Sequence, residues 1–356
     1  MQILSSMNWT LQLGDVTGAF LEADPLEQRF RPLYAHQPPG GIPGVPAGAV
    51  IEIQGNIYGQ NDAPASWHRT LDKELRSLGW KPSCFDSCLY QLRDTSNNLC
   101  GKLGVHVDDL ALGGSGELFQ KSIDQLRQRF PFRKWRVCSG EFCGAMYSQE
   151  QDGTIHMNMK TSAEKIRPAN ITKNMNSEAL LEPHQVKVLR AINGSLNWLA
   201  SQSRPDLSVQ TSLSQQCFPC PKVKHLRQAN NIVRRARQFS DLNITFKPIP
   251  VQNLTVVCHS DAAFANVGDH TQAGFVIAFT DKALNDSVMS HWNPVVWRSF
   301  KLSRAVSSTL AAEAQSMAVA TGTVEWLSLI VSELLEGPFD LRSCRKSLTA
   351  NPFMII

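Results

Sequence analysis

Two adjacent carboxylates, Asp108 and Asp109, lie between apolar neighbours in the segment Val107-Asp-Asp-Leu110. Like charges about 4 Å apart repel by roughly 4 kcal/mol at an effective dielectric constant of 20, so such a pair is tolerated mainly when a cation binds between the side chains. Oxygen ligands without an accompanying His or Cys favour Mg²⁺ or Mn²⁺ over Zn²⁺. The doublet is therefore a candidate divalent-metal site, although an Asp pair in a turn is by itself common.

A third carboxylate, Asp15, ends another apolar, strand-like segment much earlier in the chain. It opens the first of three motifs, which are Asp15–Phe20 (DVTGAF), Ile57–Trp67 (IYGQNDAPASW) and His106–Asp109 (HVDD). In this order and spacing, the motifs resemble the reverse transcriptases of Ty1/copia-type retrotransposons. The later segment Gly194–Asp206 (GSLNWLASQSRPD) is similar to a stretch that follows the palm in those polyproteins, so the resemblance covers nearly the whole chain.

The resemblance implies an α+β chain in three parts. Residues 1–150 would form a right-hand polymerase palm with mostly missing fingers, and residues 151–250 a mainly helical thumb or connection. Residues 251–356 would form an RNase H-like α/β domain that is shortened at its C-terminus.

The same resemblance implies a two-metal active site. Asp15, Asp108 and Asp109 would hold two Mg²⁺ or Mn²⁺ ions, one activating the primer 3′-hydroxyl and the other binding the triphosphate. Phe20 would lie under the sugar and exclude a 2′-hydroxyl; a core Phe is the alternative. The nucleotide and primer would also be contacted by Tyr58, Gly59, His106 and Gly144.

The C-terminal part has its own acids, Asp261 at the end of a strand and Glu313 in the first turns of a helix. They resemble the RNase H carboxylates that hold two Mg²⁺ ions and activate water against an RNA phosphodiester. We expect this activity to be weak, because a third acid is absent where the segment Asn351–Ile356 begins the next strand. Asp340 is the nearest alternative, and a solvated helical Glu is the alternative interpretation of Glu313.

Two segments concentrate positive charge. No acidic residue occurs between Asp206 and Asp241, and this gap contains candidate contacts to a nucleic-acid backbone, namely Lys222, Lys224, Arg227, Arg234 and Arg235. A solvated helix face is the alternative interpretation. The second segment, residues 127–136, interleaves cations with aromatic side chains, as surfaces that stack bases do. Aromatic residues of the core are the alternative interpretation.

The cysteines favour a reducing compartment, since they are nine in number and scattered. Cys217, Cys220 and His225 have the spacing that begins a zinc knuckle, but Asn230 stands at the fourth ligand position. Three ligands do not close a structural zinc site, so we expect no zinc there.

The motifs must be positioned by a few regular elements. Apolar patterning predicts strands around residues 11–20 and 50–53, a hairpin over 104–114, and helices over 65–78 and 115–129. Between the first two strands, a Pro- and Gly-rich run over residues 37–48 predicts a loop. Helical periodicity dominates residues 160–240, and three strands then precede a helix over about 308–335.

Composition adds broad limits. The 356 residues carry a net charge of +4, and we find neither a signal peptide nor an uncharged apolar run long enough for a membrane span. We therefore expect an intracellular protein, in the cytoplasm or nucleus, without membrane association.

The leading functional hypothesis is an RNA-directed DNA polymerase fragment of a retroelement, tied to transposition and DNA integration. Its partners would be an RNA template paired with a DNA primer and deoxynucleoside triphosphates. The alternative is a catalytically inactive, nucleic-acid-binding remnant, which is favoured by the expected lack of the fingers that grip the triphosphate.

Overall fold

A computed structural model describes residues 1–24, 32–172, 174–218, 220–267, 270–337, 342 and 354–355. The helices within those residues are α1 (Gln2–Ser6), α2 (Ala63–Ser77), α3 (Gly116–Arg129), α4 (Lys160–Lys165), α5 (Pro183–Gln202), α6 (Ser208–Gln215), α7 (Val223–Gln238) and α8 (Thr309–Glu336). The strands are β1 (Gln12–Val16), β2 (Leu33–His36), β3 (Val50–Ile53), β4 (Trp80–Pro82), β5 (Leu89–Arg93), β6 (Leu99–His106), β7 (Asp109–Gly114), β8 (Phe132–Val137), β9 (Ser139–Phe142), β10 (Ala145–Gln149), β11 (Ile155–Asn158), β12 (Ile244–Phe246), β13 (Leu254–Val267), β14 (His270–Asp281), β15 (Asn293–Lys301) and β16 (Met354–Ile355).

The chain divides into two compact units. Residues 12–136 form the first, and residues 1–11 with 137–356 form the second. The mixed α/β architecture with several sheets agrees with the predicted fold class. The finer division into palm, thumb and RNase H domain, with boundaries at 150 and 250, stays a prediction.

The first unit is built on a six-stranded sheet in the order β4-β5-β6-β7-β1-β8. Helix α2 buries a stripe of Trp67, Leu71 and Leu75, which recur every four residues as a one-sided helix requires. These side chains pack with Leu110 and Leu112 of β7 and with residues of α3 in one core. The sheet thus has one face under helices, and Asp15, Asp109 and His106 belong to its other face.

The second unit contains two four-stranded sheets. One has the order β12-β11-β10-β9 and the other the order β15-β14-β13-β16. Helix α8 begins at Ser308, whose side chain accepts a hydrogen bond from the Ala311 amide, and it covers β13 and β14 with a stripe that includes Ala320 and Val324.

Helix α8 is also long and apolar enough to cross a membrane by length and composition alone. Its packing is that of a core helix, because Ala320, Val324, Leu327 and Val331 are buried against the sheet. Met354 and Ile355 pair in parallel with Val257 and Cys258 of β13, so the strand predicted near the end of the chain is present there. Asp340 lies outside the described residues.

Candidate functional site

The turn that carries Asp108 joins β6 to β7 in the predicted hairpin. His106 pairs with Asp109, which leaves only Val107 and Asp108 in the loop. Val107 has φ +56° although its side chain is β-branched and exposed. Such a backbone conformation costs of order 1–3 kcal/mol and persists only when surrounding contacts hold it.

Asp15 lies on the neighbouring strand, directly opposite Asp109 in the antiparallel β1·β7 ladder. The Val16 amide also donates to the Asp108 carbonyl oxygen at 3.0 Å, which fixes the turn beside β1. Directly paired residues put their side chains on the same face of a sheet. His106, Asp109 and Asp15 therefore form a row on the face opposite the core residues Leu110 and Leu112.

The predicted metal ligands share a location but do not yet form a ligand group. Their donor chemistry suits Mg²⁺ or Mn²⁺, and Asp15 and Asp109 are Cα partners, which in an antiparallel ladder means about 4.5–5.5 Å between Cα atoms. Within the described residues, however, no three Asp, Glu, His or Cys side chains converge closely enough to hold a metal ion. Mutual repulsion of carboxylates disfavours their convergence unless a cation neutralises them.

Helix α2 holds the turn from the core side. The indole Nε1 of Trp67 donates to the Val107 carbonyl oxygen at 2.6 Å, and Trp67 is only 1% exposed. Its ring also packs edge-on against Phe130. The sequence placed Trp67 on a helix, but its contact with the Asp108 turn was not foreseen, because the two residues are 40 positions apart.

Three further predicted contacts lie in the same unit. The rings of Phe20 and Tyr58 are 5.1 Å apart between centroids, and Tyr58 is 60% exposed. Phe20 also packs against the core, so both of its predicted roles fit its position. Gly59 has φ +92°, and a Cβ there would meet nothing within 4 Å. The segment is therefore an open turn with room for a ligand.

Gly144, the remaining predicted primer contact, lies in the second unit. It forms the β9–β10 turn with Cys143, and both residues have positive φ. A Cβ at Gly144 would meet nothing within 4 Å. The tight turn and its open surface suit a glycine, and the contact with primer stays a prediction.

Comparisons with known proteins bear directly on these motifs. A family model described as reverse transcriptase (RNA-dependent DNA polymerase) matches residues 1–182, which is more than half of the chain. The chain belongs to this reverse transcriptase family.

Its relatives are transposon proteins. The chain is 24% identical over 342 residues to a retrovirus-related Pol polyprotein from transposon RE2 of Arabidopsis thaliana, a match that covers 92% of this chain and 22% of that polyprotein. It is 26% identical over 304 residues to the transposon Ty5-1 protein of Saccharomyces cerevisiae, covering 81% of this chain and 92% of that protein. These matches support a Ty1/copia-type reverse transcriptase. The chain spans about a fifth of the length of the Arabidopsis polyproteins.

The second set of acids in this chain is not brought together. Asp261 pairs with Gly274 and lines a cleft of about 370 Å³ with Pro205 and Trp297. The next residue, Ala262, packs with Ala312 of α8 on the other side of the sheet. Because side chains alternate along a strand, Asp261 and Glu313 belong to opposite faces of this sheet. The shared metal site predicted for them stays a prediction, which would require local rearrangement.

Helix α7 carries the predicted basic surface, and much of its charge is neutralised. The Nζ atoms of Lys222 and Lys224 lie 2.8 and 2.9 Å from Glu178 carboxylate oxygens. Hydrogen bonds from these two lysines lower the pKa of Glu178 to about 2. Arg235 pairs with Asp206 at 3.2 Å. Acidic residues from outside the acid-free stretch therefore neutralise three of its cations.

The remaining cations of this set also have polar partners. Arg227 donates to the Met175 carbonyl oxygen at 3.0 Å, and Arg234 donates to Asn231 Oδ1 at 3.2 Å. Contacts of all five residues with a nucleic-acid backbone stay a prediction, and they would compete with these internal bonds.

Asn230, the residue at the fourth position of the Cys217 motif, bonds to the chain itself. Its amide accepts from the Ala169 N–H at 2.8 Å and donates to the Ala169 carbonyl oxygen at 2.9 Å. His225 Nδ1 accepts from the Lys222 amide, so this histidine caps the start of α7. Both side chains therefore have structural roles.

Proposed function

We propose that this chain is the RNA-directed DNA polymerase part of a Ty1/copia-type retroelement and acts by two-metal nucleotidyl transfer. The observation that carries the proposal is the position of Asp15 directly opposite Asp109, with Asp108 in the adjoining turn. Membership of the reverse transcriptase family supports the same activity.

Asp15, Asp108 and Asp109 would hold two Mg²⁺ or Mn²⁺ ions. Bound divalent ions would lower the pKa of the primer hydroxyl and neutralise negative charge on the triphosphate. The chain itself supplies position: the bond from Trp67 to Val107 holds the turn, and the β1·β7 pairing holds Asp15 against it.

Other side chains would orient the substrates. Phe20 and Tyr58, whose rings are in contact, would form the surface under the incoming deoxynucleotide sugar. His106, in the same row as Asp109 and Asp15, would pack on the end of the DNA primer. The RNA template and the DNA primer would form the hybrid that this face accepts.

In this proposal, the C-terminal part is an RNase H-like module. Asp261 and Glu313 would hold two Mg²⁺ ions there after the local rearrangement that their positions on opposite faces of the sheet require. RNA cleavage would be weak, because two carboxylates hold the second metal ion poorly. The proposed module is independent of the polymerase chemistry.

A primer-extension assay on poly(rA)/oligo(dT) tests the polymerase proposal. Asp108→Asn should lower incorporation with Mg²⁺ or Mn²⁺ by about 100-fold or more, because it removes charge at the point of transfer. Asp124→Asn is the matched control, since Asp124 is an exposed acid on α3 in the same unit, and it should retain wild-type incorporation.

A second candidate function is a catalytically inactive nucleic-acid-binding remnant. It is favoured by one observation, the lack of a converged group of three ligands in the described part of the chain. Wild-type incorporation no higher than that of Asp108→Asn, together with salt-sensitive binding of an RNA/DNA hybrid, would select this candidate and reject the polymerase.

A further inference from the structure

The two basic segments of the sequence differ in how far their charge is neutralised. On α7, Lys222, Lys224 and Arg235 each bind a carboxylate. The second basic segment runs from the end of α3 into β8, the edge strand of the six-stranded sheet. Its cations are Arg127, Arg129, Arg133, Lys134 and Arg136.

Four of the cations around β8 have no acidic partner within the described residues. Arg129 lies 3.8 Å from Asp24 and 4.0 Å from Glu74. Among the residues that the structure describes, no acidic partner occurs for the other four, which are all exposed: Arg127, Arg133, Lys134 and Arg136. The positive potential of the chain is therefore less compensated at β8 than on α7.

Two aromatic side chains of β8 lie over one residue of β1. A Cβ on Gly14 would lie 2.9 Å from the Trp135 ring and 3.0 Å from the Phe132 ring. Both rings therefore lie over the same residue of β1, although residues three apart in a regular strand point to opposite faces. Phe132 and Trp135 are half-buried, and Arg133, Lys134 and Arg136 beside them are left in solvent.

Arg127 adds a flat stacking surface. Its guanidinium carbon lies 5.0 Å from the centroid of the Trp135 ring, and the Trp135 Nε1 is fixed by Gln12 Oε1 at 3.0 Å. Arg127 is exposed, so solvent reaches the guanidinium beyond the indole. Unpaired bases stack on guanidinium planes and aromatic rings of this kind.

Strand β8 lies beside the strand that carries one of the candidate catalytic residues of the same unit. Strand β8 is the neighbour of β1, which carries Asp15, and adjacent strands are about 4.8 Å apart. The Thr17 amide donates to the Pro131 carbonyl oxygen at 2.7 Å, which ties the start of β8 to the segment that leads to Phe20.

We propose that the β8 edge is a binding track for single-stranded RNA. Arg133, Lys134 and Arg136 contact successive phosphates, and an unpaired base stacks on Arg127 where it covers Trp135. The choice of RNA as the ligand rests on the proposed function, but the binding itself needs neither a divalent ion nor nucleotide transfer.

Fluorescence anisotropy with a labelled 20-nucleotide oligo(U), in buffer without divalent ions, tests the track. The triple variant R133E/K134E/R136E should bind at least about 10-fold more weakly at 100 mM salt. The slope of log K against log salt should fall by roughly two, at about 0.7 per lost single-strand phosphate contact. The matched control K121E/K187E/K301E makes the same charge change at exposed lysines elsewhere. Affinities of the two variants within about 3-fold of each other would overturn the proposal.

Arg127→Lys tests the stacking step, because it keeps the positive charge and removes the planar guanidinium group. We expect several-fold weaker binding of oligo(U) and unchanged binding of a blunt RNA/DNA hybrid. Equal losses for both ligands would overturn the stacking assignment.

A further measurement needs no variant. Ultraviolet cross-linking of 4-thiouridine RNA should label the peptide that contains β8, and labelling confined to other peptides would overturn the proposal. Failure of primer extension would leave these binding results unaffected, so the two proposals fail separately.

Discussion

At the residue scale, the contact between Trp67 and Val107 joins the buried core to the turn that carries Asp108. Trp67→Phe removes the indole N–H but keeps an aromatic ring in the core. We expect the free energy of unfolding to fall by about 1 kcal/mol and the incorporation rate to fall roughly 10-fold or more, since small misplacements at a reacting centre are costly. Urea denaturation and single-turnover primer extension measure the two effects.

Trp80→Phe is the matched control for this prediction. Trp80 is also 1% exposed, and its Nε1 has no hydrogen-bond partner within the described residues. Incorporation should therefore stay at the wild-type level. Equal losses of incorporation in both variants would show that the Trp67 bond has no special role at the turn.

Asp206 gives a prediction about acid stability. Arg204 is 2% exposed and binds both Asp206 oxygens, at 2.8 and 3.0 Å. Burial raises the pKa of Asp206, but hydrogen bonds and charge from Arg204 and Arg235 outweigh it, and the net pKa lies below the ordinary value. A depressed carboxylate pKa stabilises the fold above the unfolded-state pKa of about 3.9, and this stability is lost as pH falls through the folded-state pKa.

Asp206→Asn should therefore destabilise the fold by about 3 kcal/mol at pH 7, because it leaves Arg204 buried without its counter-charge. The difference from wild type should shrink below about pH 4. Urea denaturation at neutral and acid pH measures it, and a difference that is constant with pH would contradict the ion-pair explanation.

At the element scale, close packing of β1 against β8 depends on Gly14. Gly14→Ala would place a Cβ 2.9 Å from the Trp135 ring. We expect a loss of about 1–3 kcal/mol from overpacking. Gly194→Ala on α5 is the control, since a Cβ there meets nothing within 4 Å and should stabilise the helix by up to about 1 kcal/mol. Thermal denaturation of both variants tests this, and equal stabilities would contradict it.

Elements with strong local patterns were predictable from the sequence. The β6–β7 hairpin, α2, α3 and α8 follow from apolar spacing that acts over a few residues. Strand β8 has no alternating pattern, because Phe132 and Trp135 share a face, and it could not be found in this way.

The sequence predicted which residues belong to the candidate site better than it predicted the contacts that those residues make. The motifs bring Asp15 and Asp109 to paired positions, as their strand endings suggested. The neutralisation of Lys222 and Lys224 by Glu178, and the choice of the strand face that α8 covers, depend on contacts between distant segments. Local patterns carry no information about either.

At the scale of the whole molecule, the division into two units predicts two unfolding transitions. Leu112 and Leu189 are both 0% exposed, the first in residues 12–136 and the second in the other unit. Leu112→Ala and Leu189→Ala should each cost about 2–5 kcal/mol and shift different transitions in urea. A single transition shifted by both variants would contradict independent units.

We propose that Asp15, Asp108 and Asp109 close around a pair of divalent ions when substrates are bound. Titration of Mn²⁺ followed by electron paramagnetic resonance, with primer, template and a non-extendable nucleotide present, counts the ions that each chain holds. We predict that the double variant D15N/D108N binds two fewer Mn²⁺ ions than the wild-type chain. The same number of bound ions in both proteins would contradict the account.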